Sequence, residues 1–340
     1  MTVLHLLGSA GDGGAETYFL DLVRALHEDG GDQAAALRPH AHRQEALAEA
    51  GVPLVTAPFG GPLDLRTRRR IARFAAAEEA RIEVAWMNRA ARFAPPGRPR
   101  VGRLGGYYDL KYYAGFDHLV ANTADIADWI RREGWPAERV SVIPNFAEAG
   151  EADPASRAAE DTPEGAPLLL AMSRLHPAKG LDVLLRALPL LPEAWLWVAG
   201  SGPLEAELKA QAEALGVADR VRWLGWRDDA GALYRAADVT VFPSRYEPLG
   251  NTVIQAWAHG SPVVAAAARG PADLIADGRD GLLASVDDPE ALAGFVRRVL
   301  EEPGLAGALA EAGRERARTG FGRAAVVARW RELFAHLGVG

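Results

Sequence analysis

The sequence predicts an α/β protein made of two doubly wound parallel sheets in tandem. Three observations predict it. Short Val- and Leu-rich runs alternate with helix-period stretches along nearly the whole chain, a pattern that calls for parallel strands covered by helices on both faces. The alternation breaks once, after Asn145, in the acidic, Ala/Pro/Gly-rich stretch "FAEAGEADPASRAAEDTPEGAP". The length of 340 residues is about twice that of a common domain. These give a first domain over 1–149, a linker over 150–166, a second domain over 167–321 and a terminal helical segment, 322–340, expected to pack back on the first domain.

In the first half, strand "TVLHLLG" leads to helix "AETYFLDLVRALHEDG", strand "QAAALR" to helix "RQEALAEAG", and strand "PLVTA" to the Arg-rich helix "LRTRRRIARFAAAEEAR". Strands "IEVAWM", "RVGRL" and "HLVANT" follow, then helix "ADIADWIRREG" and strand "RVSVIPN". The second half restarts at Leu168 with "LLLAMS", "GLDVLLRALPLL", "AWLWVAG", "PLEAELKAQAEALG", "RVRWLG", "DAGALYRAAD" and "VTVFPS". A helix beginning near Gly250, "PVVAAA", "GPADLIADG", "GLLASV", "PEALAGFVRRVLEE" and "AAVVARWRELFAHLG" complete it. In such sheets ligands bind beyond the carboxyl ends of the strands, so a site shared by the two rims across a cleft is expected.

Composition narrows the functional classes. There is no cysteine, hence no disulfide framework, thiolate metal site or cysteine nucleophile. The net charge of −7 argues against nucleic acid as partner. No apolar run approaches a membrane span, and "MTVLHLLGSAGDGGAE" lacks the basic start and cleavage site of a signal peptide, so a cytoplasmic location is expected. The arginines between Arg66 and Arg73, with Leu65, Ile71 and Phe74 among them, make either a solvated helix face or a peripheral contact with anionic headgroups on the inner face of a membrane.

The chemistry-bearing residues concentrate in the second half. "SRLHPAKG" puts Arg174 and Lys179 at a strand-to-helix junction, either as surface charge or as a grip on a diphosphate. Gly200 and Gly202 in "VAGSGPL" make a turn or admit a ligand to the backbone. Trp226 and Arg227 end "VRWLGWR", either capping the domain or reading a nucleobase through their backbone. In "RYEPLGNTVIQAWA", unpaired amides at a helix start beside Gly250 suit a phosphate, whereas Glu247 would repel one and suits sugar hydroxyls. Gln255 follows Asn251 by one helical turn on the same face, as a bonded core amide or a ribose contact.

In the first half, "GSAGDGGAETYFL" is glycine-rich without the ending of a P-loop or the spacing of a dinucleotide fingerprint. Gly13, Gly14 and Glu16 stand at the helix start. "RLGGYYDLKYY" offers Gly105, Gly106, Tyr107, Tyr108, Asp109 and Lys111, either a packed aromatic cluster or a sugar-holding rim.

In this order, "GGAE", "VIPN", "SRLHPAKG", "VAGSGPL", "RVRWLGW", "ADVTVFPSRYEPLG", "GSPVVA" and "DGLL" resemble the family 4 retaining glycosyltransferases, whose fold is GT-B with two Rossmann-like domains. The resemblance covers essentially the whole chain and is strongest from Leu168 to Leu300. It implies that Arg174 and Lys179 bind the donor diphosphate and that Glu247, first acid of the family's Glu-x7-Glu motif, contacts the donor sugar. Pro248, Leu249, Gly250 and Asn251 would seat sugar and phosphate through backbone amides, and Gly13 and Gly14 would line the phosphate or acceptor side.

The second motif glutamate corresponds to Gln255, a departure that removes charge assistance from the ribose contact. The histidine that many members carry after a mid-domain strand is absent from "RLGGYYD", leaving Tyr107 and Asp109 as acceptor-side candidates. The resemblance further implies metal-independent transfer with retained configuration. The donor would be a nucleotide-diphosphate sugar, UDP favoured over GDP, with no other cofactor, and the acceptor a glycan or lipid-linked glycan of surface polysaccharide or lipopolysaccharide synthesis. Two alternatives stand beside it: a non-catalytic sugar-nucleotide-binding protein, and a nucleotide-sugar epimerase.

Overall fold

The computed structural model describes residues 2–11, 13–61, 63–150 and 153–338. It divides the chain into two compact units, Met1–Asn145 with Arg323–Gly340, and Phe146–Gly322.

Unit 1 holds strands β1 (Val3–Leu7), β2 (Gln33–Leu37), β3 (Leu54–Thr56), β4 (Ile82–Trp86), β5 (Arg100–Leu104), β6 (His118–Ala121) and β7 (Val140–Val142). Its helices are α1 (Gly14–Glu28), α2 (Ala41–Glu49), α3 (Leu65–Ala77), α4 (Met87–Ala91) and α5 (Ala124–Arg132). The sheet is wholly parallel in the order β3-β2-β1-β4-β5-β6-β7. β1, β2 and β4 are buried at every position, as strands covered on both faces must be.

Unit 2 repeats the plan with β8 (Leu168–Met172), β9 (Trp195–Ala199), β10 (Val221–Gly225), β11 (Val239–Phe242), β12 (Val263–Ala266) and β13 (Leu282–Ala284). Its helices are α6 (Leu181–Ala187), α7 (Glu205–Ala214), α8 (Ala230–Ala236), α9 (Asn251–Ala258), α10 (Arg269–Leu274), α11 (Pro289–Glu301) and α12 (Leu305–Gly320). The parallel order is β10-β9-β8-β11-β12-β13. Two apolar layers, around Leu169, Leu196 and Val264 on one face and Leu170, Trp197 and Trp257 on the other, sandwich the sheet. The last helix, α13 (Arg323–His336), belongs to unit 1 and meets α1, with Arg323 paired to Glu28 and Arg331 to Asp29 at 2.5 Å.

Three features differ from the reading of the sequence. Residues 153–166 are not a free linker but a strap on unit 2. Arg157 donates to the carbonyls of Glu164, Ala166 and Ala236 and to Asp238, and Trp197 Nε1 donates to Thr162 at 2.8 Å. The strap is held by backbone and polar bonds, which leave no hydrophobic period to read. Met87 does not end a strand but begins α4 with φ of 63°. Helix α12 lies outside the pattern read from the sequence, because beside Leu309 its buried residues, Ala310, Gly313 and Ala317, are small: at Gly313 a Cβ would press on the Trp257 ring.

Candidate functional site

In each unit the strand order reverses beside the first strand, between β1 and β4 and between β8 and β11. The crevice outside the carboxyl ends at such a reversal is where open α/β sheets bind ligands. In unit 2, two segments leave those ends: Ser173–Gly180 after β8 and Pro243–Gly250 after β11.

The two segments are stapled together. Arg245 forks onto Asp182 with two bonds of 2.6 Å, reaches Asp287 at 2.5 Å and donates to the Pro177 carbonyl at 3.0 Å. The backbone amides of Arg245 and Tyr246 both donate to the Ala178 carbonyl. Hydrogen bonding to Asp182, then to Asp287, holds the Arg245 guanidinium well above its ordinary range and correspondingly depresses Asp182. Sequence reading passed over Arg245 and Asp182, since nothing local signals a contact across 63 residues.

This staple brings Lys179 and Glu247 into an ion pair, their side chains only 17% and 15% exposed. The Lys179 ammonium also lies 5.8 Å from the Phe242 ring centroid. Arg174 contrasts with them: it is exposed, its carbonyl accepts from Ser173 and His176, and its guanidinium makes no hydrogen bond or ion pair among the described residues. A cation left without a protein partner at a ligand-binding rim is a candidate anion contact.

Gly250 caps α9 with φ of 92°, the left-handed region that glycine adopts without strain. In the first turn beyond it the amides of Val253 and Ile254 donate to the Gly250 carbonyl, and the positive end of the helix dipole faces the loop. Leu249 turns its side chain into the core at 4% exposure, so only its backbone is available to a ligand, and Pro248 and Asn251 are half-buried. The loop is backed by Gly270, whose amide donates to the Glu247 carbonyl at 2.8 Å. One turn into α9, Gln255 is half-buried and its side-chain amide makes no hydrogen bond among the described residues. It is therefore not a core polar group satisfied from within.

Gly200 and Gly202 are needed for close backbone approach. A Cβ at Gly200, with φ of 135°, would strike the Ser173 carbonyl, and one at Gly202 the Leu175 backbone. They let the loop after β9 lie against the segment that carries Arg174. Trp226 is 72% exposed and caps nothing in unit 2, whereas Arg227 is bound to Asp229 and Glu160, bonds that raise its proton affinity further.

In unit 1 the candidates are spread differently. Gly13 caps α1 in extended conformation, Gly14 opens the helix, and Glu16 folds back so that a Cβ on Gly13 would stand 3.0 Å from its Oε2. Gly105 is required by Arg103, whose Nη1 would lie 2.6 Å from an added Cβ, and Gly106 is buried beside it. Tyr107 hydrogen bonds to Asp125 and packs edge-on to Trp129, and Asp109 pairs with Lys111 while capping a short 3-10 turn. Both are thus engaged by protein partners.

Sequence reading missed other residues at the same rim. Ser9, Ala10, Arg38, Trp86, Met87 and Arg89 line a cavity of about 220 Å³ at the carboxyl ends of β1, β2 and β4. Arg103, 2% exposed, lies 5.0 Å from the Trp86 and 5.3 Å from the Tyr18 ring centroids and donates to Asn145; burial lowers its proton affinity. These arginines are visible in the sequence, but only the sheet gathers positions 38, 89 and 103 onto one rim.

Two tandem Rossmann-like units of parallel sheet, each with its switch point beside the first strand, are the plan of the GT-B fold. Residues 153–316 match the family described as "Glycosyl transferases group 1". The chain is 35% identical over 329 residues to "Lipopolysaccharide core biosynthesis glycosyltransferase LpsE" of Rhizobium meliloti (strain 1021), covering 95% of this chain and 96% of that one. It is likewise 35% identical over 343 residues to LpsD of the same organism, named as a lipopolysaccharide core biosynthesis glycosyltransferase, with 98% of each covered. Among solved structures, Anabaena Alr3699/HepE in complex with UDP superposes with a TM-score of 0.87 at 22% identity, covering 99% of this chain and 100% of that one. WaaG, described as a glycosyltransferase involved in lipopolysaccharide biosynthesis, gives a TM-score of 0.72 at 21% identity over 98% and 99%. The chain belongs to the group 1 glycosyltransferases, as its motifs led one to expect.

Proposed function

We propose that this glycosyltransferase moves a sugar, with retained configuration and without a metal, from a nucleotide-diphosphate donor to a glycan or lipid-linked glycan of lipopolysaccharide or a related surface polysaccharide. The observation that carries the donor side is the grouping of unpartnered Arg174, the Lys179–Glu247 pair and the Gly250 helix start at one switch point. The acceptor class is supported by the names and near-complete overlap of the two Rhizobium relatives.

In this reading Arg174 and Lys179 hold the diphosphate, and the amides after Gly250 take up the charge that grows on it as the bond from the anomeric carbon to phosphate oxygen breaks. Glu247 holds hydroxyls of the departing sugar. The acceptor oxygen bonds to the anomeric carbon on the face the phosphate leaves, and its proton passes to the departing phosphate oxygen. Transfer then leaves nucleoside diphosphate and the extended glycan. Two cations and a helix start supply the charge stabilisation that a metal gives elsewhere. Gln255 meets the ribose hydroxyls with a neutral amide, and the exposed Trp226 with the backbone of Arg227 flanks the base. Uridine is the favoured base, as in the solved neighbour that holds UDP, with guanosine as the alternative.

Gly13, Gly14, Glu16 and the Gly105–Gly106 turn form the acceptor side in unit 1, with Tyr107 and Asp109 shaping it through their protein contacts. A peripheral membrane contact through α3 would bring a lipid-linked acceptor near. It is supported by five exposed arginines without an ion pair among the described residues, beside Leu63 and Leu65 at 92% and 60% exposure. No helix among the described residues is long and apolar enough to cross a membrane.

Calorimetry with UDP and GDP in the presence of chelator tests the donor site. One of the two should bind, and Arg174→Ala should weaken it at least tenfold, the order expected for one charge-assisted hydrogen bond, without lowering the melting temperature. Binding that requires a divalent metal, or that is indifferent to Arg174→Ala, would remove the proposed phosphate grip.

A further inference from the structure

A second basic cavity lies in unit 1, outside the switch point and adjoining the Tyr107–Asp109 turn through Lys111. It measures about 530 Å³, within the range of small-molecule sites, and is lined by Arg68, Arg92, Arg100 and Lys111 with the rings of Phe93, Tyr112 and Phe116 among its walls. Arg100 opens β5, and Gly115 and Phe116 precede β6, so its floor is at the amino ends of those strands. β5 has five residues, which at about 3.3 Å each puts that floor roughly 13 Å from the carboxyl rim.

The four cations are poorly compensated. Lys111 alone has a carboxylate, Asp109, and that pair is exposed. Arg68 spends one nitrogen on the Arg92 carbonyl at 2.7 Å. Arg92 stands 5.5 Å from the Tyr112 ring centroid. Arg100 stands 5.2 Å from that of Phe116 and donates to the Gly115 carbonyl, while its Nε is buried with no partner. The nearby Asp117 carboxylate accepts from the Arg100 backbone amide at 2.8 Å and not from its guanidinium. None of the three guanidinium groups makes an ion pair among the described residues, and the carboxylate facing them, Glu83 beside Arg100 in the β4–β5 register, is bonded to Arg98. An anion seated in the cavity would offset the positive charge that they share, and guanidinium forks match phosphate oxygens.

We propose that this cavity binds a phosphate-bearing ligand at a site distinct from the donor switch point, with the aromatic walls accommodating the group that carries the phosphate. Two sources share this chemistry, a soluble phosphorylated saccharide and the headgroup of an anionic phospholipid.

Hydrogen exchange on the full chain distinguishes them, because peptides covering 91–96 and 110–116 report this cavity and peptides covering 173–180 report the donor side. Pyrophosphate, and separately vesicles of phosphatidylglycerol in phosphatidylcholine, are added to the wild type and to the Arg68→Gln/Arg92→Gln chain. Slowed exchange in both cavity segments with pyrophosphate assigns a soluble phosphate group, and slowing by anionic vesicles alone assigns a bilayer headgroup. Either result supports the site, provided the double variant needs at least tenfold more ligand for the same protection. Lys111→Gln, at an exposed position, should also weaken binding if the double variant folds poorly. Absence of protection by both probes, or protection unchanged in the variants, overturns the proposal.

Discussion

Replacing Glu247 by glutamine separates the two roles proposed for the Lys179–Glu247 pair. With both side chains about one-sixth exposed, the carboxylate neutralises a largely desolvated ammonium. A diphosphate must draw on that same ammonium, so in the resting protein Glu247 competes with the ligand and also repels it. At an effective dielectric of 20, two like charges about 6 Å apart repel by roughly 3 kcal/mol before screening. Half of that surviving in solution is about tenfold in affinity. Free UDP carries no sugar, so Glu247→Gln should bind it several-fold to tenfold more tightly. Transfer from the sugar nucleotide should fall at least a hundredfold, because a neutral amide holds the sugar hydroxyls without charge assistance. The glutamine preserves size and the staple made by Arg245 is untouched, but Lys179 loses its countercharge, so the melting temperature should fall without ligand and recover when UDP is added. Calorimetry with UDP and a release assay for nucleoside diphosphate measure the two quantities on one preparation. Weaker UDP binding together with near-wild-type transfer would refute the assignment of Glu247 to the sugar and of Lys179 to the diphosphate.

Two further outcomes are expected. Gln255→Glu should tighten nucleoside diphosphate binding, since a carboxylate accepts ribose hydroxyl bonds with charge assistance where the present amide has no protein partner to lose; an unchanged or weakened affinity would break the ribose assignment. Glu83, fully buried in β4 and 2.7 Å from Arg98, has its carboxyl pushed up to about 7, by burial first and against the pull of Arg98. The native state therefore keeps a proton that the unfolded chain has released, and stability is lost as pH rises from about 4.5 through 7, by up to about 3 kcal/mol. His5 and His118, both lowered to about 4 with burial as the chief cause, act in the opposite sense, costing stability as pH falls from 6.5 toward 4. The difference between wild type and Glu83→Gln in denaturant titrations from pH 5 to 7.5 isolates the carboxyl, and equal slopes in the two proteins would show that it does not titrate there.

The sequence by itself determined the class of fold and pointed to the residues proposed for the donor side. Alternating strand and helix periods are local properties, and motifs such as "SRLHPAKG" and "RYEPLGN" keep their cations, carboxylate and glycine within a few residues of one strand end. What tertiary structure decided is everything that depends on residues far apart in the chain. The pairing of Lys179 with Glu247 needs Arg245 to reach Asp182, 63 residues back, and no pattern within either segment encodes that reach.

The 153–166 strap and α12 escaped for a related reason. The strap is held by hydrogen bonds rather than an apolar face, and α12 packs through one Leu, Leu309, and the small residues Ala310, Gly313 and Ala317, with the missing bulk at Gly313 fitting the Trp257 ring. Arg38, Arg89 and Arg103 look like ordinary charges until the sheet aligns their strands, and Arg68, Arg92, Arg100 and Lys111 become one basic cavity only when α3 and the segments flanking β5 fold together. Periodicity records which face of an element is buried. It carries no record of which distant element lies against that face, and that is what turns scattered charges into a site.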